Sequence, residues 1–328
     1  MTDTSTLRRL VWLFPDREST RMSGKWGAAF WDAYVDVAKS LDLSWDRVAP
    51  EAVTVDALEP TAAKFYIDGE RVTPEDTLFI SSIYSLPYQS ADVFTQFTLY
   101  AVLEQGGFYL PHPPNLAAVC NDKMATILML KDSPVPPIPT VRIGSGRDLV
   151  YDEYEVATQD LPYPAIAKPS GWATSRGINI ARDSHDVRGL LSLAQGGDTV
   201  LVFQPFLGHG TTDYRLHLVD GEVAAVLVRQ PGPGAPYPQF STGAKLSYVD
   251  TPPELEEAVA YFAEKFPVPY LCVDFLHDGE RFWLSEIEFD GAIMCPGPDW
   301  VQVQHDTILA RFLAYRRAHA RFLSQGRS

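Results

Sequence analysis

Leu284-Ser285-Glu286-Ile287-Glu288-Phe289 places two carboxylates in otherwise apolar surroundings. In extended backbone the side chains alternate, so Leu284, Glu286 and Glu288 are expected on one face and Ser285, Ile287 and Phe289 on the other. Asp274, within Leu271-Cys272-Val273-Asp274-Phe275-Leu276, is equally out of place on a neighbouring apolar strand. Like charges brought together out of water repel one another and lose hydration, so something positive belongs among these three. An all-oxygen donor set suits Mg2+ or Mn2+. Register decides whether the three meet. A two-residue turn at Asp278-Gly279 pairs Asp274 with Trp283 and points it away. A three-residue loop, His277-Asp278-Gly279 with Gly279 left-handed, pairs it with Phe282 and gathers the carboxylates, and that loop is expected. The alternative is an exposed hairpin with solvated acids.

A second constellation starts at Ala165-Ile166-Ala167-Lys168-Pro169, an apolar segment that ends in a lysine and runs into Ser170-Gly171-Trp172-Ala173-Thr174-Ser175-Arg176-Gly177. Small and hydroxyl residues between glycines leave backbone N–H groups free to wrap phosphate oxygens, with Lys168 as a point charge. No GKS or GKT follows and the loop opens a strand, so this is not a Walker loop; on its own it reads equally as a surface turn. The run 199–207, with Gln204 and Pro205 near its end, is either a connection whose backbone holds a planar base or a plain buried strand. Asp213-Tyr214-Arg215 and Val226-Leu227-Val228-Arg229 put one arginine on each arm of a hairpin, suited to clamping phosphoryl oxygens. Ser23-Gly24-Lys25-Trp26 reads as a substrate contact at a helix start or as a capped helix with Trp26 in the core. Tyr84, Tyr88 and the loop 231–239 are further substrate-side candidates. His112, His185, His209 and His305 are scattered and read as structural or exposed.

The elements that must position these groups follow from periodicity. A strand over 7–14, a helix over 26–41 (Trp26, Phe30, Tyr34, Val37 and Leu41 at helical spacing), an extended run at 77–84, a helix over 91–105 stopped by Gly106-Gly107 and a strand at 108–110 give an open α/β domain over 1–115. Asp68-Gly69 turns a hairpin within 64–72. A helix over 115–131 ends before Pro134, Pro136, Pro137 and Pro139, the best linker in the chain. Strands at 140–143, 165–168, 178–181 and 200–203 with a helix at 185–195 make an α+β lobe over 116–205. The last lobe, 206–328, holds hairpins at 214–229 and 271–289, a helix at 254–266 with an apolar face of Leu255, Val259, Phe262 and Phe266, and a helix at 304–323 striped by Ile308, Phe312, Tyr315 and Phe322 and interrupted by His319.

Composition sets the outer bounds. A length of 328 residues allows two or three domains. With 27 basic and 42 acidic residues the formal charge is −15, which opposes a broad nucleic-acid footprint or a polybasic membrane patch; an anionic ligand needs local cations or a metal. Cys120, Cys272 and Cys295 form no CxxC pair, so neither a disulfide framework nor a cysteine zinc site is expected, and a reducing cytoplasm is the simplest compartment. The apolar run at 10–14 is too short for a signal segment, and a soluble protein is expected.

Taken in this order, the segments over roughly 115 to 300 resemble the ATP-grasp superfamily, and specifically its carboxylate–amine ligases, such as the ribosomal-protein glutamate ligases and, more distantly, D-alanine–D-alanine ligase. The resemblance implies a mixed α/β and α+β fold: a small open α/β N-terminal domain and two α+β lobes sandwiching ATP. Lys123, in Asn121-Asp122-Lys123, is similar to the family's first nucleotide lysine and Lys168 to the second, with Gly171, Thr174, Ser175 and Gly177 in the phosphate-covering loop. Gln204, Phe206 and Leu207 fall at the hinge that holds adenine, and Asp213, Arg215 and Arg229 at phosphate-facing positions. Asp274, Glu286 and Glu288, spaced by twelve and then two, fall at the metal-ligand positions. The last of these is normally asparagine, and Phe240-Ser241-Thr242-Gly243-Ala244-Lys245 lacks the family's asparagine, with Lys245 as substitute. The implied activity is an ADP-forming ligase that uses ATP with Mg2+ or Mn2+, with Lys168, Arg215 and Arg229 as catalytic groups. It would join a small-molecule carboxylate to an amine, amino-acid-like substrates of specialised metabolism, with no nucleic-acid or membrane partner and room for a homodimer. A small-molecule kinase on the same fold and a non-catalytic nucleotide-binding module are the alternatives.

Overall fold

The computed structural model describes residues 6–13, 31–81, 83, 90–144, 151–172, 175–197, 199–238 and 243–326. The chain opens with β1 (Arg9–Leu13), α1 (Asp32–Ser40) and β2 (Ser44–Val48), passes through β3 (Val53–Asp56), β4 (Lys64–Ile67) and β5 (Glu70–Val72), and returns with β6 (Thr77–Ile80) and α2 (Ser90–Gln105). β1 lies between β2 and β6 and is parallel to both, while β3, β4 and β5 make a separate antiparallel sheet. Every residue of β6 is buried, as a parallel strand covered on both faces requires. Tyr34 and Val37 put the apolar face of α1 into the core; Trp26 and Phe30 lie outside the described residues. The strand expected at 108–110 does not form. Gly107 is left-handed (φ +84°) and the Phe108 amide turns back to Leu103 O (3.1 Å), closing α2, after which Pro111 has no N–H to offer a ladder.

Two helices replace the single one expected over 115–131: α3 (Pro114–Asn121) and α4 (Lys123–Met129). Asp122 between them is extended (φ −97°, ψ 121°) and caps α4 by accepting from the Ala125 amide at 2.9 Å. Next come β7 (Val141–Ile143), α5 (Tyr151–Thr158), β8 (Ala165–Pro169), β9 (Asn179–Ala181), α6 (Ser184–Gly196) and β10 (Leu201–Pro205), whose strands form an antiparallel sheet in the order β7-β10-β8-β9. α5 was not expected, being a short helix with few apolar residues in its eight positions.

A five-stranded antiparallel sheet follows, built from β11 (Thr212–Val219), β12 (Glu222–Gln230), β13 (Lys245–Val249), β14 (Tyr270–His277) and β15 (Phe282–Glu288) in the order β13-β12-β11-β14-β15. Asp220-Gly221, left-handed at both positions, makes the tight turn of its first hairpin. One face packs on α7 (Glu256–Lys265) through Phe262 and on Ala117, Leu130 and Val135. The proline stretch is held at the edge of β15, where Leu284 N donates to Pro136 O (2.9 Å) and Ile138 N to Leu284 O (3.0 Å). On the other side α8 (Val301–Gln325) buries Ile308, Phe312 and Tyr315 among Leu10, Trp12, Tyr34, Tyr270 and Cys272, tying the first sheet to the last. Among the described residues no helix is long and apolar enough to cross a membrane.

Candidate functional site

The hairpin β14–β15 brings the three carboxylates together by a route the sequence reading did not foresee. Its loop spans four residues, since His277 pairs with Phe282. That register, continued, sets Asp274 opposite Ser285 and leaves Glu286 and Glu288 on the far face. A bulge interrupts it: Phe275 pairs with Leu284, Asp274 with Glu286 and Cys272 with Glu288, so Ser285 is the extra residue. Leu284 therefore joins Ile287 and Phe289 in the hydrophobic core rather than sharing a face with the glutamates. Ligand oxygens of Asp274, Glu286 and Glu288 lie within 4.8 Å of one another. Immediately beyond, Gly291 packs so closely that a Cβ there would stand 2.5 Å from Cys272 Sγ and 3.2 Å from Glu288 Oε2.

Four cations face this triad. Arg215, on β11 opposite Asp274, donates to it through Nε (2.8 Å) and Nη2 (2.6 Å) and reaches Glu288 through Nη1 (2.9 Å). Arg229, on β12 opposite Asp213, donates through Nη2 to Asp213 (2.8 Å) and Asp274 (3.0 Å); its Nε is buried and has no hydrogen-bond partner among the described residues. Lys123 Nζ lies 3.5 Å from Glu286 Oε2 and donates to Trp172 O (3.1 Å). Lys168 is only 8% exposed, and its ammonium lies in the fields of Glu286, Asp213 and Asp274. Burial pushes its ammonium down to about 8; Lys123 adds to this, while Glu286, Asp213 and Asp274 oppose it. Burial acts to raise Asp274 as well, yet Arg215 and Arg229 outweigh it and hold that carboxyl low. Asp213 is driven up by burial, and the charge of Asp274 adds to the push.

The lysine-to-glycine loop starts from β8. Ser175 (φ +57°) and Gly177 (φ +73°) are left-handed, and a Cβ at Gly177 would meet Pro169 Cγ at 2.8 Å, so only glycine fits there. Gly171 packs against Asn121, and Thr174 lies outside the described residues. Gln204 is buried in β10 with Nε2 on the Thr140 hydroxyl (2.9 Å), and the Phe206 amide donates to Pro164 O (3.1 Å); Leu207 follows, half-buried. Lys245 opens β13 and is exposed. Ser23, Gly24, Lys25, Trp26, Tyr84, Tyr88 and Gln239 lie outside the described residues. Of the histidines, His112 is buried against Phe289 with Nδ1 on Ser81 O, His209 packs edge-on against Phe206, His185 is exposed and His305 is half-buried. The sequence reading missed Asp122 and Ser170, which tie α4 to the loop: Ser170 Oγ donates to Asp122 Oδ2 at 2.6 Å.

Solved structures superpose on nearly the whole chain. A D-alanine–D-alanine ligase from Bacillus anthracis matches with a TM-score of 0.61 at 13% identity, covering 96% of this chain and 99% of its own. A RiPP-associated ATP-grasp ligase from Chryseobacterium gregarium, in complex with ADP and a leader and core peptide, matches with a TM-score of 0.60 at 11% identity, covering 94% and 96%. The chain has the ATP-grasp fold. No family model matches it. An uncharacterized protein, MG011 of Mycoplasma genitalium, is 21% identical over 211 residues, 62% of this chain and 68% of that protein.

Within this fold the cations and carboxylates come from α4 and β8 on one side and from β11, β12, β14 and β15 on the other. The triad offers only oxygens, spaced closely enough to share one small ion, and so fits a hard divalent cation.

Proposed function

We propose that this chain is an ADP-forming ligase that activates a carboxylate with ATP and joins it to an amine. The observation that carries the reading is a group of buried cationic donors beside an oxygen-only triad: Lys168 is only 8% exposed and lies in the field of Glu286, and Arg229 Nε is buried with no hydrogen-bond partner among the described residues. Buried charge of this kind is costly unless a ligand completes it. Phosphate oxygens supply the missing acceptors.

Lys123 and Lys168 bind the triphosphate, and the glycine-bearing loop shields it from water. Asp213 and Asp274 fix the guanidinium planes of Arg229 and Arg215, whose remaining N–H groups face the transferring phosphoryl. An oxygen of the substrate carboxylate attacks the γ-phosphorus and the β–γ bridging oxygen leaves with ADP, giving an acyl phosphate. The amine nitrogen then attacks the acyl carbon, the C–O bond to phosphate breaks, and the amine proton leaves with inorganic phosphate. Asp274, Glu286 and Glu288 would hold Mg2+ or Mn2+, which neutralises phosphate charge when bound. Positioning and electrostatics do the work, so the reaction needs no serine, cysteine or histidine nucleophile.

The substrates are amino-acid-like molecules or short peptides. The named functions of the two structural neighbours span both classes, and the acidic chain disfavours polyanionic partners. Free Cys120, Cys272 and Cys295 suit a cytoplasmic setting. The test is to incubate the protein with ATP, Mg2+ and pools of amino acids and dipeptides while measuring phosphate release and product mass. Release that needs two substrates together supports the ligase. A phosphorylated single acceptor makes the protein a kinase, and nucleotide binding without any turnover makes it a binding module.

A further inference from the structure

We infer that Asp122 is a positioning residue that sets the two nucleotide lysines and the start of the phosphate loop in one rigid unit; this rests on the nucleotide reading above. Asp122 interrupts what its neighbours would otherwise make a single helix, and its half-buried carboxylate is used three ways. It accepts from the Ala125 amide (2.9 Å), from Ser170 Oγ (2.6 Å) and from Arg142 Nε (3.3 Å). Burial alone would raise this carboxyl, but the bonds from Ser170, Ala125 and Arg142 outweigh it and keep it below the usual range, so it is charged at neutral pH. The backbone answers across the same seam. Lys123 N donates to Ser170 O (3.1 Å), and Lys123 Nζ donates to Ser170 O (3.4 Å) and Trp172 O (3.1 Å). At Gly171 a Cβ would stand 3.1 Å from Asn121 Nδ2, so helix and loop approach as closely as a glycine allows.

Lys168 lies two residues before Ser170, and Lys123 directly follows Asp122. Both lysines converge on Glu286. Any slip at the Asp122–Ser170 seam therefore changes the distance between the two cations and their distance to the triad. A residue that only capped α4 would not need a hydroxyl 48 positions away in sequence.

The test is calorimetric titration of the full chain with a magnesium complex of a non-hydrolysable ATP analogue. Asp122→Ala and Ser170→Ala should each weaken binding by about tenfold, the scale of a lost hydrogen bond to a charged group. The double variant should be no worse than Asp122→Ala within about twofold, because both changes remove one interaction. Asp122→Asn, whose single carbonyl oxygen keeps the cap while its amide nitrogen donates to Ser170 Oγ instead of accepting from it, should stay within about threefold of wild type. Helicity by circular dichroism checks each fold, and Ser170→Ala leaves the cap untouched should Asp122→Ala unfold. Ser170→Ala binding at wild-type strength, or losses that simply add, would overturn the inference while leaving the nucleotide reading intact. Wild-type protein that binds no nucleotide defeats both.

Discussion

Glu286 and Glu288 stand two positions apart on β15, yet their surroundings push them in opposite directions. Burial raises both; Lys123 and Lys168 overcome it at Glu286, whereas at Glu288 the single offset from Arg215 is exceeded as Asp274 and Glu286 add their repulsion. Glu286 is thus the firmly ionised member and the better test of the triad. Replacing it with Gln should lower turnover by more than about a hundredfold, since even groups that only hold a metal's ligands in place are worth about 10–100-fold. A phosphate-release rate equal to wild type would remove the triad from the mechanism. Lys168 gives a pH signature. With its ammonium held near 8, nucleotide affinity should fall between pH 7 and pH 9, and Lys168→Arg should remove that fall. The sign for folding is opposite. A lysine whose folded value lies below the unfolded one, about 10.4, adds stability as pH rises through that interval, so weaker binding there is not unfolding. The carboxylates and Lys168 were legible because each sits alone in an apolar run. That Arg215 and Arg229 turn inward onto Asp274 was not, since strand pairing across 59 and 45 positions decides it.

At the scale of elements, a single extra residue determines which face the glutamates take. The apolar phase runs through Phe282 and Leu284 and then slips to Ile287 and Phe289. Strict alternation cannot bury all four, and the bulge at Ser285 absorbs the slip while turning Glu286 toward Asp274. The expected three-residue loop reaches the same grouping through a different register; the phase slip is present in the sequence, but unbroken alternation of Leu284, Glu286 and Glu288 masks it. The helix break at Asp122 was hidden for a similar reason, because apolar periodicity continues across it and only the cap geometry ends α3. The turn after β15 is equally constrained. Tyr270 Oη donates to Gly291 O (2.6 Å) and Ile293 N donates to Tyr34 Oη (3.0 Å), clamping the segment that follows Glu288. Gly291→Ala should therefore cost about 1–3 kcal/mol in chemical denaturation, the scale of overpacking, and reduce turnover as Glu288 shifts. Unchanged stability and rate would mean that the segment yields freely.

Over the whole molecule, the charge of −15 belongs to the surface rather than to the site. Asp213, Asp274, Glu286 and Glu288 are balanced by Lys123, Lys168, Arg215 and Arg229, so under the proposed function an anionic nucleotide would meet a locally neutral cluster. The four-stranded and five-stranded sheets each supply part of that cluster, and α8 anchors the second of them to the N-terminal sheet through Phe312 and Tyr315. The order of strand and helix patterns made an α/β and α+β architecture legible, but the way α8 joins first and last sheets depends on contacts between ends of the chain that no local pattern reports. At the heart of the proposed reaction a carboxylate oxygen is phosphorylated and then displaced by nitrogen. Its most direct test supplies amino acids and dipeptides labelled with 18O in their carboxyl groups, together with ATP and Mg2+, and weighs the released phosphate by mass spectrometry. One labelled oxygen transferred to each phosphate, with an amide product formed in equal amount, is the predicted result; unlabelled phosphate would contradict it.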